Sequence, residues 1–380
     1  EPVESLCRKT DAIFEHCRAD RVFIEGAMTA IKLHLGENPN TQYLAPAIVK
    51  TVVDRAKAAG ARPFLTDTCT LYNGRRSNAV DYLHAAAEHG FTLEAVGAPV
   101  IISDGLVGGS QTMVRINKKH FKEVPIALDA AHSDALVVMT HVTGHLLAGL
   151  GGTIKNVSMG LCGRAAKLAM HSGTRPQIDK DKCGGCGRCA RWCPAGAVAV
   201  ATTAEIDYVR CIGCGECYAV CRSDAVLFNW DISSDDFNEK MAEACLAVVQ
   251  DKTDRVIYLN YAIRITEQCD CFGVKAPRVV DDLGILAGFD PVALDKATAD
   301  RTEARILLAR DMIDKVDEIL PLREPERSER LMALKETFDR ASMSTVCDKE
   351  EIKWPVFRWR LNFVNILRAI LQRGPERKMG

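Results

Sequence analysis

Sixteen cysteines occur in the chain, and half of them fall in two short runs. The first is Cys183-Gly-Gly-Cys186-Gly-Arg-Cys189-Ala-Arg-Trp-Cys193-Pro194, and the second is Cys211-Ile-Gly-Cys214-Gly-Glu-Cys217-Tyr-Ala-Val-Cys221-Arg222. Both read C-x2-C-x2-C-x3-C. In that spacing three thiolates wrap one iron–sulfur cube, and the following helical turn carries the fourth toward another. Two 4Fe–4S clusters are expected, with crossed ligands: Cys183, Cys186, Cys189 and Cys221 for the first, Cys211, Cys214, Cys217 and Cys193 for the second. The glycines between the cysteines relieve crowding where the backbone curls round each cube and turns its N–H groups to sulfur. Zinc asks instead for two CxxC pairs set apart by a longer spacer. Such clusters are low-potential one-electron carriers, so a wire with something at each end is implied, one end being a redox protein partner.

Polar residues also gather where strand-like runs end: Lys32 and His34 in AIKLHLGE, Asp67 in LTDTCTLYNGRR and Asp104 in SDGLVGG. The densest stretch is His141-Val-Thr-Gly-His145-Leu-Leu-Ala-Gly149-Leu-Gly151-Gly152-Thr-Ile-Lys155-Asn156, followed by His171. Loops at the carboxyl ends of strands in open α/β sheets bind ligands. Gly151 and Gly152 would let backbone N–H groups approach a carboxylate or phosphate, with Lys155 supplying charge. His141 and His145 share a face if that loop is helical. His141, His145, Lys155 and His171 are the expected lining of a catalytic site, with Lys155, Gly151 and Gly152 its cofactor contacts; the same residue types read equally well as capped or solvated loop positions. No GxGxxG or GxxxxGK[ST] occurs, so neither a dinucleotide site nor a P-loop is inferred. Cys269-Asp270-Cys271 reads as a metal site with histidines from elsewhere, a redox pair, or buried thiols. Cys7, Cys17, Cys69, Cys162, Cys245 and Cys347 are scattered and read as structural.

Positioning these residues requires alternating strands and helices. Strands are expected at Thr29–Leu35, Pro63–Asp67, Asp134–Thr140 and Arg255–Ile265, and helices at Pro46–Ala59, Asp81–His89 and Asp235–Gln250, with another opening at Asp290-Pro291. The expected fold is an α/β domain carrying an inserted α+β two-cluster module and a C-terminal helical tail. Its divisions are 1–177 and 231–300 for the α/β domain, 178–230 for the module and 301–380 for the extension. Within 354–371, Val356, Trp359, Phe363, Leu367 and Ile370 recur at helical spacing beside Arg358, Arg360 and Arg368, an amphipathic cationic helix suited to its own protein's surface, a partner groove or an anionic membrane surface.

With 47% hydrophobic and 26% charged residues, 380 residues can bury a real core. Lys plus Arg number 49 against 50 Asp plus Glu, which removes the basic footprint expected of a nucleic-acid binder. No apolar run reaches the ~18 residues of a transmembrane helix. The cysteine usage points to the cytoplasm or another reducing compartment, peripheral association with a membrane or large complex being compatible with the tail. The chain opens on Glu1-Pro2 without Met, as expected of numbering that starts inside a longer product.

Residues 178–230 resemble the bacterial-type two-cluster ferredoxins, whose halves repeat internally as Ala197-Val198 and Ala225-Val226 do here. The wider chain resembles the family called domain of unknown function 362, in its form with an inserted ferredoxin, through AIKLHLGE, PFLTDTCTLYNGRR, HVTGHLLAGLGGTIKNVSMG, CDCFG and DLGILAGFDPVALDKA. The family name implies fold and cluster content and no reaction. A more distant resemblance is to the nickel-pincer lactate racemases, in the order His145, Gly151-Gly152, Lys155, His171. That resemblance implies a pincer cofactor anchored on Lys155, nickel on His171 and proton transfer by His145, although Ile154 stands where that family has Arg. The leading expectation is an iron–sulfur oxidoreductase relaying electrons to or from the α/β site. The alternatives are an electron-carrier or assembly subunit without its own active site, and a metal-dependent racemase or isomerase.

Overall fold

The computed structural model describes residues 1–304 apart from 73, 173–174, 194, 212, 214, 229–231, 272 and 274–275. Six strands form the main sheet: β1 (Met28–Lys32), β2 (Arg62–Asp67), β3 (Val100–Ile102), β4 (Ala135–His141), β5 (Val256–Ala262) and β6 (Gly284–Gly288). Their order is β6-β5-β4-β1-β2-β3, parallel throughout except that β6 runs against β5. The helices that matter below are α1 (Val3–His16), α2 (Pro46–Ala58), α3 (Ala79–Glu88), α4 (Thr153–Leu161), α5 (Arg164–His171) and α6 (Ser234–Val249). Pro46 sits in the first turn of α2, and the side chains of Asn78 and Ser233 accept from the backbone N–H groups of Asp81 and Asp236 to cap α3 and α6.

Every residue of β4 and β5 is buried, as a parallel strand covered on both faces must be. The period of two divides them. Ile31, Val137, Met139, Ile257 and Leu259 pack with Phe14, Val49, Val52 and Val53 of α1 and α2. Ala30, Leu136, Val138, Val256 and Tyr258 pack with Ile154, Val157 and Leu161 of α4 and Phe237, Met241 and Cys245 of α6. Each such aliphatic side chain stabilises the fold by about 1.5–3 kcal/mol on burial.

The chain runs outward from β1 to β2 and β3, then crosses back to place β4 on the other side of β1. The sheet therefore reverses direction between β1 and β4, the place where an open α/β sheet leaves a crevice at its carboxyl edge. Lys32 ends β1 and His141 ends β4.

Two expected strands are shorter than their apolar runs. Leu33 and Leu35 stay buried, but the chain turns at Gly36 (φ +96°), where an added Cβ would lie 2.3 Å from His89 Nδ1. Beyond Ala262, Arg264 adopts a left-handed backbone (φ 47°) that ends β5 before Ile265. His141 and His145 do not share a helical face: His141 closes β4, and His145 lies in a hairpin pairing Thr143–His145 with Gly149–Gly151.

Between α5 and α6 the chain builds two small antiparallel pairs, Gln177–Ile178 with Val226–Leu227 and Val198–Val200 with Ala204–Ile206, and the single-turn helices Arg188–Arg191 and Glu216–Ala219. It leaves the main sheet after β4 and rejoins it at β5, the neighbour of β4. Among the described residues no helix is long and apolar enough to cross a membrane. Residues 305–380, and with them Cys347 and the amphipathic 354–371 stretch, lie outside the described residues.

Candidate functional site

The two cysteine runs come together in the 176–228 segment. Cys183, Cys189, Cys217 and Cys221 share one small apolar cluster with Ala204 and Val226. Cys193 from the first run meets Cys211 and Cys217 from the second around a small apolar cavity of about 20 Å³ that Pro176, Ala197, Val198, Ile206 and Gly215 also line. Cys186 is exposed, and Cys214 lies outside the described residues. Backbone N–H groups already point at sulfur: Ala204 donates to Cys183 Sγ (3.3 Å), Ala197 to Cys193 Sγ (3.2 Å) and Ala225 to Cys221 Sγ (3.3 Å). Gly185, Gly187, Gly213 and Gly215 all have left-handed backbones between the cysteines.

The spread of the sulfurs matters. Tetrahedral zinc with Zn–S bonds of about 2.3 Å would hold its sulfurs about 3.8 Å apart. Among the described residues, only His120, Asp236 and Glu239 bring three His, Cys, Asp or Glu ligand atoms within 4.8 Å of one another. No three of the sulfurs of Cys183, Cys186, Cys189 and Cys221 lie within that distance of one another. The His120 cluster is satisfied internally, with Glu239 Oε2 2.6 Å from His120 Nε2 and 2.5 Å from Lys119 Nζ.

This segment rests on the carboxyl edge of the main sheet. Gly215 lies against Leu71 and Leu168, where an added Cβ would come within 3.1 Å. Arg164, at the start of α5 and fully buried, reaches Glu216 at 3.2 Å while donating to the carbonyls of Thr70, Val107 and Ser77. A buried guanidinium with this many acceptors fixes the position of the helical turn that carries Cys217.

At the other end of α5 lies the second sulfur centre. Lys155 Nζ is 2.7 Å from Cys269 Sγ and 3.4 Å from Cys271 Sγ. Burial alone would push the Lys155 ammonium down, but its contacts with the two cysteine sulfurs outweigh that and hold the group above the ordinary lysine range. A hydrogen bond from the Cys269 thiol, with the charge of Lys155 and a hydrogen bond from His34 behind it, outweighs burial and holds Cys271 well below the usual thiol range. Cys269, bonded to Cys271 and buried, is pushed well above it. His34 itself sits between the Gly36 N–H (3.1 Å) and Arg76 Nη1 (2.9 Å).

The histidines divide by role. His141 Nδ1 is 2.7 Å from Asp270 Oδ2 and Nε2 is 2.9 Å from the Ile263 carbonyl, so one nitrogen holds the 269–271 turn and the other ties the ring to the chain just beyond β5. His145 Nδ1 accepts from the N–H groups of Leu147 and Ala148, and its ring stacks on Phe237 at 5.8 Å. Burial, with Lys155 adding to it, pushes His145 down to about 3, so it is neutral with its proton on Nε2. His171 packs edge-on against the same Phe237, donates from Nδ1 to the Lys167 carbonyl, and is also lowered by burial.

Gly151 and Gly152 serve the chain's own packing. An added Cβ on Gly152 would lie 2.5 Å from Asp295 Oδ1. The Asp295 carboxylate accepts from the N–H groups of Thr153 and Ile154 at 2.8 Å each, so the anion expected at the start of α4 is a side chain from the 290–297 stretch. Burial pushes that carboxyl up to about 6. Gly151 is pressed against Thr143 Oγ1 in the hairpin.

Sequence reasoning singled out Lys32 and Asp67 at the strand ends but not the buried charge network that joins them behind the centre. Lys32 Nζ pairs with Asp67 at 3.2 Å and donates to Asn156 Oδ1 at 2.7 Å, and Asp67 also accepts from Tyr82 at 2.5 Å. Gly160 in α4 makes the room: a Cβ there would lie 2.0 Å from Lys32 Cε. A glycine within an otherwise helical stretch was the available signal.

Residues 29–300 match the family described as Domain of unknown function (DUF362). The chain belongs to that family. A search of curated proteins finds no match. Among solved structures, the lactate racemase apoprotein from Thermoanaerobacterium thermosaccharolyticum aligns at TM-score 0.40 and 11% identity, over 75% of this chain and 54% of that one. The chain thus spans about half the length of that protein. In this DUF362 protein, His145 and His171 both pack on Phe237, and the Lys155 amine donates to two protein sulfurs.

Proposed function

We propose that this protein is an iron–sulfur oxidoreductase in which the 178–230 stretch is an inserted two-cluster ferredoxin-like module, feeding or draining the centre at Lys155. Cys183, Cys186, Cys189 and Cys221 hold one 4Fe–4S cluster, and Cys211, Cys214, Cys217 and Cys193 the other. The observation that carries this reading is the cavity where Cys193 joins Cys211 and Cys217, the crossed arrangement that two interleaved runs require. When bound, the clusters supply low-potential one-electron transfer.

The chain's own residues do the remaining work. The N–H groups of Ala197, Ala204 and Ala225 stabilise negative charge on sulfur. Arg164 holds Glu216, and so the Cys217 turn, against α5. That helix connects the module's contact at Leu168 with His171, three residues or about 4.5 Å of axial rise further on. Lys155 stabilises thiolate charge, His141 positions the 269–271 turn through Asp270, and His145 and His171 give the centre neutral walls. A low-potential redox protein is the partner at the exposed end.

Metal analysis of anaerobically purified protein tests the reading. About eight irons per chain are expected, falling to about four in Cys193→Ser, because the altered ligand serves only the second cluster. Stoichiometric zinc, or iron loss in Cys193→Ser that is complete, would overturn the crossed assignment.

A further inference from the structure

The centre at Lys155 contains two thiols that no cluster uses. Their placement differs. Cys269 is buried, whereas Cys271 keeps part of its surface accessible. The 269–271 turn puts both sulfurs on the same ammonium, 2.7 and 3.4 Å away, so they can be at most 6.1 Å apart and hydrogen-bond to each other. The Cys271 N–H donates to Cys269 Sγ at 3.2 Å, and His141 clamps the residue between them. A thiolate held by a cation, on the less buried of the two residues, beside a fully buried thiol is the asymmetry that thiol–disulfide exchange requires.

We propose that Cys269 and Cys271 are a redox-active dithiol that reduces a disulfide substrate, Cys271 attacking and Cys269 resolving. The proposal rests on the relay reading above, since the clusters supply its electrons. The Cys271 thiolate attacks one sulfur of RS–SR′. The substrate S–S bond breaks, R′S⁻ leaves and takes a proton from solvent, and Cys271–S–S–R forms. Cys269 then bonds to Cys271 Sγ, and RS⁻ departs with the Cys269 proton. Two electrons, delivered singly from a low-potential one-electron donor, and one proton return the Cys269–Cys271 disulfide to thiol and thiolate. The sum is RSSR′ + 2e⁻ + 2H⁺ giving RSH and R′SH.

Three features fit this chemistry. Lys155 stabilises the thiolate that leaves when the Cys269–Cys271 bond is reduced as well as the one that attacks. A disulfide between residues two apart is strained and so an easily reduced one. His145, with its Nδ1 already used and its charge suppressed, leaves Lys155 as the cation nearest the sulfurs.

Oxidised glutathione, added anaerobically, is the probe. Cys269→Ser is expected to accumulate a single glutathione adduct on Cys271, found by mass spectrometry of the alkylated peptide. The wild type should instead show a Cys269–Cys271 disulfide without adduct, formed and lost as one two-electron couple across a glutathione redox series. Cys271→Ser should carry no adduct on Cys269. Unmodified Cys269 and Cys271 in the wild type after exposure, or their protection by a chelator-removable metal, would overturn the proposal. Iron measured on the same samples separates the two failures: eight irons with inert thiols sinks the dithiol alone, and reactive thiols without iron sinks the relay.

Discussion

The described cysteines between 183 and 221 and the pair Cys269 and Cys271 form no disulfide, yet their surroundings differ in kind. The first group lies in a segment with a small apolar core, its sulfurs accepting from backbone N–H groups at glycine-punctuated turns. The second pair lies at the reversal point of a six-stranded sheet, its sulfurs held by a lysine and a histidine that reach it from distant parts of the chain. Main-chain donors suit a bound group whose charge is spread and whose position must be fixed; a buried ammonium suits a sulfur whose own charge must change during a reaction. On the proposed reading, the same element serves in one place as a ligand and in the other as a reagent.

The contrast can be broken most severely at Asp67. Asp67→Ala leaves the Lys32 ammonium buried without its carboxylate, and should cost about 3–5 kcal/mol in urea unfolding. A loss under 1 kcal/mol would mean that the charge network does not hold the sheet end together. Glu216→Ala comes next: it strips Arg164 of its carboxylate but leaves the carbonyl acceptors, so about 1–3 kcal/mol is expected, with the iron content kept. Loss of all iron there would show that the docking contact shapes the cysteine turns themselves.

Lys155→Met sharpens the comparison without touching the module. Alkylation of Cys271 at neutral pH should slow about tenfold as its thiolate loses the cation, with the cluster absorption unchanged. An unchanged alkylation rate would remove Lys155 from the account of that thiol. The smallest effect concerns His145. Its pKa is about 3 folded against about 6.5 unfolded, so the unfolded chain binds a proton that the folded one refuses. The neutral ring favours the fold above pH 6.5, and that contribution is lost as the pH falls from there toward 3. His145→Gln should therefore lose stability less steeply than wild type between pH 6.5 and 4, and parallel curves would contradict the burial of the ring.

The cysteine runs were legible because each run is local and its spacing is the message. Lys155 and Cys269 are 114 residues apart, His141 and Asp270 129, and Thr153 and its Asp295 cap 142, so no spacing could reveal them. Strand and helix positions followed from periodicity, with errors where turn geometry at Gly36 and Arg264 stopped apolar runs short. The HVTGH stretch suggested a helical face because its histidines are four apart; burial of the whole β4 run kept the first in the sheet instead. Gly151 and Gly152 suggested room for a bound anion, and the room is filled by Asp295.

The most direct test of an electron path between the two sulfur regions is low-temperature EPR after rapid anaerobic mixing of oxidised protein with a substoichiometric photoreduced one-electron donor. The account predicts a reduced-cluster signal that rises and then decays in the wild type as electrons pass to the Cys269–Cys271 disulfide, and that persists in Cys271→Ser. A signal that persists equally in both, with about eight irons bound in each, would contradict it.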